Sequence, residues 1–248
     1  MTPGPATPWR VELLKRDTLG RVERLTDASG GCWVRRAAVG SRWPGSAWLA
    51  RLLLRRERRA LQHLAGLVRV PQLHPEPPTV PGERSDAVLL RSWQPGVPLW
   101  QVEVLPADFF AHLGELVQAM HDRGVCHNDL HKENNILVGP GGWPALVDFQ
   151  LASCHGSRGR GFRRRCAEDL RHVAKHAARY AARGAGRVVM PPRGPLAHAW
   201  RWSGKLLYNV VVRWLCRARG RGEPRRPKAG PWPRVGPPLG PPLGTMTP

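Results

Sequence analysis

The chain has 248 residues, 42% of them hydrophobic, with 39 basic against 18 acidic side chains and a formal charge of +21. That profile describes one large globular domain or two small lobes and excludes a wholly disordered chain. No run of 18 apolar residues is present, so no membrane-spanning helix is expected, and the opening MTPGPATPWR lacks the apolar stretch of a secretory signal. The charge is unevenly spread. Residues 1–154 carry 18 basic and 15 acidic side chains, whereas residues 155–248 carry 21 and 3. A cationic C-terminal third points to an anionic partner such as a membrane surface, a phosphorylated glycan or nucleic acid. The competing reading is compositional, since 34 of the basic residues are Arg and only 5 are Lys. The five cysteines are odd in number and form no CxxC pair. They argue for a reducing cytoplasm, against a disulfide framework and against a structural zinc site.

Residues 1–8 are Pro/Thr-rich and read as a frayed N-terminus. Residues 9–36 follow as short strands (WRVELL, RVERLT, CWVRR), the last two joined by an Ala-Ser-Gly-Gly turn. Residues 47–65 are predicted helical, with Leu54, Leu61 and Leu64 on one face and Gly66 as the stop. A Pro-rich loop over 71–86 precedes the strand AVLL at 87–90. A second helix is predicted from Ala107 to Arg123, with Phe109, Leu113, Leu116, Val117 and Met120 as its buried stripe. Next come a polar loop at 127–135, the strand NILV, a Gly-Pro-Gly-Gly turn and the strand ALVDF. Residues 166–183 and about 197–218 read as basic helices, and residues 219–248 as an unfolded Pro/Gly/Arg-rich tail. The order predicts an α+β architecture of two lobes: a small sheet lobe over 9–93 and a helical lobe over 94–218.

Chemistry concentrates in Met120–Gln150, MHDRGVCHNDLHKENNILVGPGGWPALVDFQ. A helix leads into a loop holding His127, Asp129, Asn134 and Asn135, and a short strand then presents Asp148. Phosphoryl transfer needs little from a protein beyond positioning and charge neutralisation. One carboxylate orients the acceptor hydroxyl and takes its proton. An Asn and a second carboxylate supply the hard oxygens that Mg²⁺ prefers. A hairpin between Asp129 and Asp148 brings both to one mouth.

These residues resemble the catalytic and metal-binding loops of the protein-kinase-like superfamily. In detail they are similar to its atypical bacterial branch near RIO-type kinases and the kinases of lipopolysaccharide core sugars (Kdo and heptose). The resemblance implies a protein-kinase-like two-lobed fold using ATP and Mg²⁺. Asp129 is then the catalytic base, His127 the structural histidine of the catalytic loop and Asp148 the chief metal ligand. Spacing from Asp129 selects Asn134 as the second ligand, and spacing back from Ile136-Leu137-Val138 selects Asn135; both stay open. Glu57 lies in line with Leu54, Leu61 and Leu64, so a carboxylate sits on an apolar face and needs a cation. Arg35 or Arg36, where the family has a phosphate-holding Lys, supplies it. Gly20 and Val22 resemble the end of an eroded glycine-rich phosphate loop, Leu90–Gly96 the adenine-contacting hinge, and Asp169 the helix residue that supports the catalytic loop. Departures from the pattern are Arg for Lys, the single Gly, His131 two positions after Asp129, and Gln150 where a Gly is usual.

The acceptor expected from His131 and the cationic third is an anionic envelope sugar or lipid met at the cytoplasmic membrane face. A protein hydroxyl is the competitor, and a pseudokinase binding module is the reading from another class. His127 and His131 around Asp129 also permit a metallohydrolase, though no third ligand has matching spacing. Helix 197–218 packs in the large lobe or docks at a membrane through Trp200, Trp202 and Trp214. The basic run at 156–166 reads as a docking loop; it lacks an aromatic platform, so nucleic acid is an unfavoured partner.

Overall fold

The computed structural model describes residues 9–16, 19–40, 45–75 and 84–184. The predicted helix 197–218, its membrane-docking tryptophans and the tail 219–248 lie outside the described residues.

Strands β1 (Arg10–Arg16), β2 (Arg21–Thr26), β3 (Cys32–Ala37) and β4 (Val88–Ser92) form an antiparallel sheet in that order. The turn between β2 and β3 is closed by Asp27, whose carboxylate accepts from the Ser29 and Gly31 amides. Leu73 bridges to Arg91 and extends the sheet edge. Between β3 and β4 runs α1 (Ser46–His63), which buries Ala50, Leu54, Glu57, Ala60 and Leu61 along one stripe. The spacing predicts this face well because three- and four-residue steps return to the same side of a helix.

The second half is built on α2 (Phe109–Asp122). Its predicted stripe of Phe109, Leu113, Leu116, Val117 and Met120 is buried, and the helix stops at Gly124, whose φ of 75° is one that glycine adopts without strain. Strands β5 (Val97–Pro98), β7 (Ile136–Val138) and β8 (Pro144–Leu146) make a three-stranded sheet, and β6 (Val125–Cys126) pairs with β9 (Ser153–Cys154). Helix α3 (Arg160–Gly184) closes the described part. It begins six residues before the predicted start, so most of the expected docking loop at 156–166 is helix. Phe162 explains this: it is buried against His155 and Arg158, giving the first turn an apolar anchor amid the Arg-rich sequence.

The main core joins α1, α2 and α3 through Leu61, Leu64, Phe109, Leu113, Val117, Met120, Leu130, Ile136, Leu146, Phe149, Val173 and Tyr180. Its consequence is positional. The β6–β7 loop and the β8–β9 turn emerge from packed elements at neighbouring places, and only 11 residues separate Asp148 from α3. Among the described residues no helix is long and apolar enough to cross a membrane.

Candidate active site

Strand register decides which side chains share the cleft. Directly opposed residues in a ladder point to the same face, and neighbours along a strand point to opposite faces. Val22 faces Arg36, Arg36 faces Leu89, and Val34 faces Arg91. One face therefore carries Val22, Val34, Arg36, Leu89 and Arg91. Arg35 lies on the other face, where its Nη1 donates to Glu23 Oε2 at 2.6 Å.

On the cleft face Arg36 Nη1 donates to Glu57 Oε2 at 2.8 Å and lies 3.5 Å from Asp148 Oδ1. Arg91 Nε sits 3.1 Å from Glu57 Oε1, close enough for ion pairing but without hydrogen-bond alignment. Glu57 is wholly buried even though Arg residues flank it on both sides in the run RRERR. Two guanidiniums and two carboxylates thus form a charge-balanced cluster. Burial works against the charge on Arg36, but Glu57 and Asp148 outweigh it and raise its pKa. Burial and the neighbouring Arg36 lower that of Arg91. Burial alone would raise the Asp148 pKa; Arg36 and Arg91 reverse this and hold the carboxyl below its ordinary range.

The β6–β7 loop is tied down by one buried carboxylate. Asp169, in α3, accepts from the His127 amide at 2.8 Å and the Asn128 amide at 2.9 Å, and lies 3.1 Å from His121 Nε2. His127 Nε2 lies 3.1 Å from the Val147 carbonyl, and its ring packs on Phe149 with centroids 4.7 Å apart. This role in the fold leaves it poorly placed as half of a His127/His131 metal pair. Asn128, at φ 63°, donates from its side chain to Leu151 O and Ser153 Oγ. The loop and the Asp148 turn are consequently one hydrogen-bonded unit.

Within it, Asp129 is nearly fully buried. Asn135 Nδ2 donates to its Oδ2 at 2.9 Å and its backbone carbonyl at 3.0 Å. Lys132 Nζ reaches the same Oδ2 at 2.7 Å, and His131 Nδ1 stands 3.2 Å from Oδ1. The Val147 amide donates to the Asn135 carbonyl at 3.0 Å, holding the strand end that carries Asp148 beside this loop. Asp148 itself is in the left-handed region at φ 64°, a strained backbone of the kind functional sites retain.

Of the two open pairs, the structure places Asn135 against Asp129 and leaves Asn134 exposed. It likewise places Arg36, not Arg35, on Glu57. Gly20 approaches β3 so closely that a Cβ there would meet the Ala37 carbonyl oxygen at 2.0 Å. Arg91, Asn128 and Lys132 went unrecognised in the sequence. Arg91 meets Glu57 from another element, and Lys132 reaches Asp129 from three residues further along the same loop. The donor set fits Mg²⁺: Asn135 directs its amide nitrogen to Asp129, which leaves Oδ1 as the atom available to a cation. Asp148 adds a carboxylate that is 37% exposed. A separate hollow of about 520 Å³ lined by Arg55, Arg58, Arg59, Gln62 and His63 shares no residue with the cleft.

No protein-family model matches the chain, and no curated protein sequence does. Solved structures do. A Rio2 kinase from Chaetomium thermophilum, in an ADP/Mg²⁺–phosphoaspartate complex, superposes with a TM-score of 0.52 at 17% identity, covering 88% of this chain and 72% of that one. A second Rio2 kinase structure from the same organism gives 0.51 at 19% identity, covering 74% and 60%. The architecture of this chain is the α+β, protein-kinase-like fold, with a sheet-rich N-terminal part followed by helices.

Proposed function

We propose that the chain is an ATP- and Mg²⁺-dependent phosphotransferase that moves the γ-phosphoryl group to an acceptor hydroxyl. The observation that carries this reading is the sharing of Arg36 between Glu57 and Asp148. It links the sheet, helix α1 and the turn after β8 at the mouth that also holds Asp129 and Asn135. Asp129 orients the acceptor hydroxyl and takes its proton as the oxygen attacks phosphorus and ADP leaves. Asn135 and Asp148 would hold Mg²⁺, whose charge offsets that on the phosphate oxygens. Arg36 binds phosphate oxygens through its fork, a permanent cation where a Lys would be a mobile one. Lys132 adds positive charge beside the acceptor oxygen. The neighbour's ADP/Mg²⁺ complex motivates the choice of nucleotide.

For the acceptor, His131 beside Asp129 and the cationic residues 155–248 favour an anionic envelope sugar or lipid, met at the cytoplasmic face of the membrane. A protein serine or threonine is the competitor. The replacement of Lys by Arg36 and the single Gly20 favour a pseudokinase as the second reading. Thermal unfolding with ATP, with and without Mg²⁺, separates them. An enzyme shows a metal-dependent rise that Asp148→Ala abolishes, accompanied by ADP release. A pseudokinase shows no ADP release and nucleotide binding that is weak or independent of metal.

A further inference from the structure

Outside the cleft, three side chains from three elements converge behind the catalytic loop. His121 lies in the last turn of α2, Cys126 lies in β6 immediately before His127, and Cys166 is on α3 one turn before Asp169. The Cys126 and Cys166 sulfurs are 3.6 Å apart, and a ring nitrogen of His121 and both sulfurs all lie within 4.8 Å of one another. His121 and Cys126 are fully buried, whereas Cys166 is partly exposed and gives an entry path.

Two details are those a metal centre would show. Tetrahedral zinc with Zn–S bonds near 2.3 Å sets its two sulfurs roughly 3.8 Å apart, close to the spacing here. His121 also has the environment of a metal-binding imidazole. Its Nε2 is paired with the Asp169 carboxylate at 3.1 Å, while its Nδ1 is buried with no hydrogen-bond partner. A carboxylate on one ring nitrogen fixes the tautomer and orientation of a metal-binding imidazole, and a buried nitrogen without a partner is costly unless something binds it.

We propose that His121, Cys126 and Cys166 bind one borderline-soft divalent cation of the Zn²⁺ type, with the fourth position taken by water or a small ligand. Binding displaces the two thiol protons to solvent, and the two thiolates neutralise the ion. The ion ties α2, the entrance of the catalytic loop and α3 to one another, the same elements that Asp169 joins by hydrogen bonds. The odd cysteine count and the lack of a CxxC pair argue against structural zinc in the sequence, but a ligand set whose members are 5 and 40 residues apart has no local spacing to show. A Cys126–Cys166 disulfide is the rival use of these sulfurs. The proposal is independent of the phosphotransferase reading.

The test uses the full chain, reduced and stripped of metal, titrated with Co²⁺ and then Zn²⁺. The expected result is one equivalent bound per chain, thiolate-to-cobalt absorption that Zn²⁺ abolishes, and a melting temperature that climbs with Zn²⁺ concentration. Cys126→Ala and Cys166→Ala abolish the absorption, and Cys154→Ala retains it. Because Cys126 is buried and its variant can misfold, alkylation of the unaltered chain supplies a second readout. One equivalent of Zn²⁺ should protect Cys126 and Cys166 from modification, mapped by peptide mass. Absence of the absorption in the reduced chain, protection of other cysteines only, or survival of the band in folded Cys166→Ala overturns the proposal. So does a chain that forms the disulfide on oxidation but takes up no metal when reduced.

Discussion

Replacing Glu57 with Gln is the sharpest perturbation of the cleft, because it removes the anion that two buried guanidiniums share. Arg36 and Arg91 are 17% and 10% exposed, and Glu57 is 0% exposed, so water cannot take over the lost charge. Deleting one partner of a buried ion pair costs about 3–5 kcal/mol, since the other charge is left uncompensated. For a domain of this size that lowers the melting temperature by about 6–20 °C. The double variant Glu57→Gln/Arg91→Met should be more stable than Glu57→Gln alone, because it leaves Arg36 paired with Asp148. A coupling of at least about 1 kcal/mol is expected from the double-mutant cycle. Circular dichroism during thermal and urea unfolding measures all four proteins. If Glu57→Gln stays within about 0.5 kcal/mol of the parent, a range typical of surface changes, the buried charge cluster is refuted.

Other predictions concern the supports of the loop and the effect of pH. Asp169→Asn weakens three interactions at once, so it should cost about 2–4 kcal/mol and speed hydrogen exchange at the His127 and Asn128 amides more than elsewhere; equal acceleration throughout would contradict that role. Gly124→Ala places a Cβ 2.6 Å from the His155 carbonyl oxygen at a positive φ and should destabilise by about 2 kcal/mol or more, read as a fall in the urea midpoint. Burial, only partly opposed by Glu168, lowers the His172 pKa from 6.5 to about 4, and burial also lowers those of His155 and His176. The unfolded chain therefore takes up protons below pH 6.5 that the folded chain resists. Stability present above that pH is lost as pH falls towards 4, by up to about 2 kcal/mol between pH 7 and 5 for His172. A urea midpoint that holds steady or rises over that range would contradict the sign.

What the sequence revealed depended on whether a residue's partner was near in the chain or only near in space. The stretch from His127 to Asp148 was legible because loop, strand and turn follow one another and its acids and amides have few other uses at that spacing. Glu57 was legible because helical periodicity put it on the buried face of α1. The choice between Arg35 and Arg36 was not, since alternation divides a strand into two faces without saying which one meets α1 and Asp148. That Asn135 and not Asn134 touches Asp129 was not legible either, because the contact is made by hydrogen bonds across the loop. Arg91 had no local signature, because its partner Glu57 lies 34 residues away on another element. The start of α3 was hidden by glycines and arginines that read as loop until Phe162 was found buried.

The measurement that bears most directly on the central reading is γ-phosphoryl transfer from ATP, followed as ADP release with Mg²⁺ and a screen of envelope glycolipid and protein acceptors. The expected result is Mg²⁺-dependent turnover that falls by at least about 100-fold in Asp129→Asn and in Asp148→Asn, with both variants folded. Turnover unchanged in the folded variants, or none from the parent chain with any acceptor despite bound nucleotide, would contradict it.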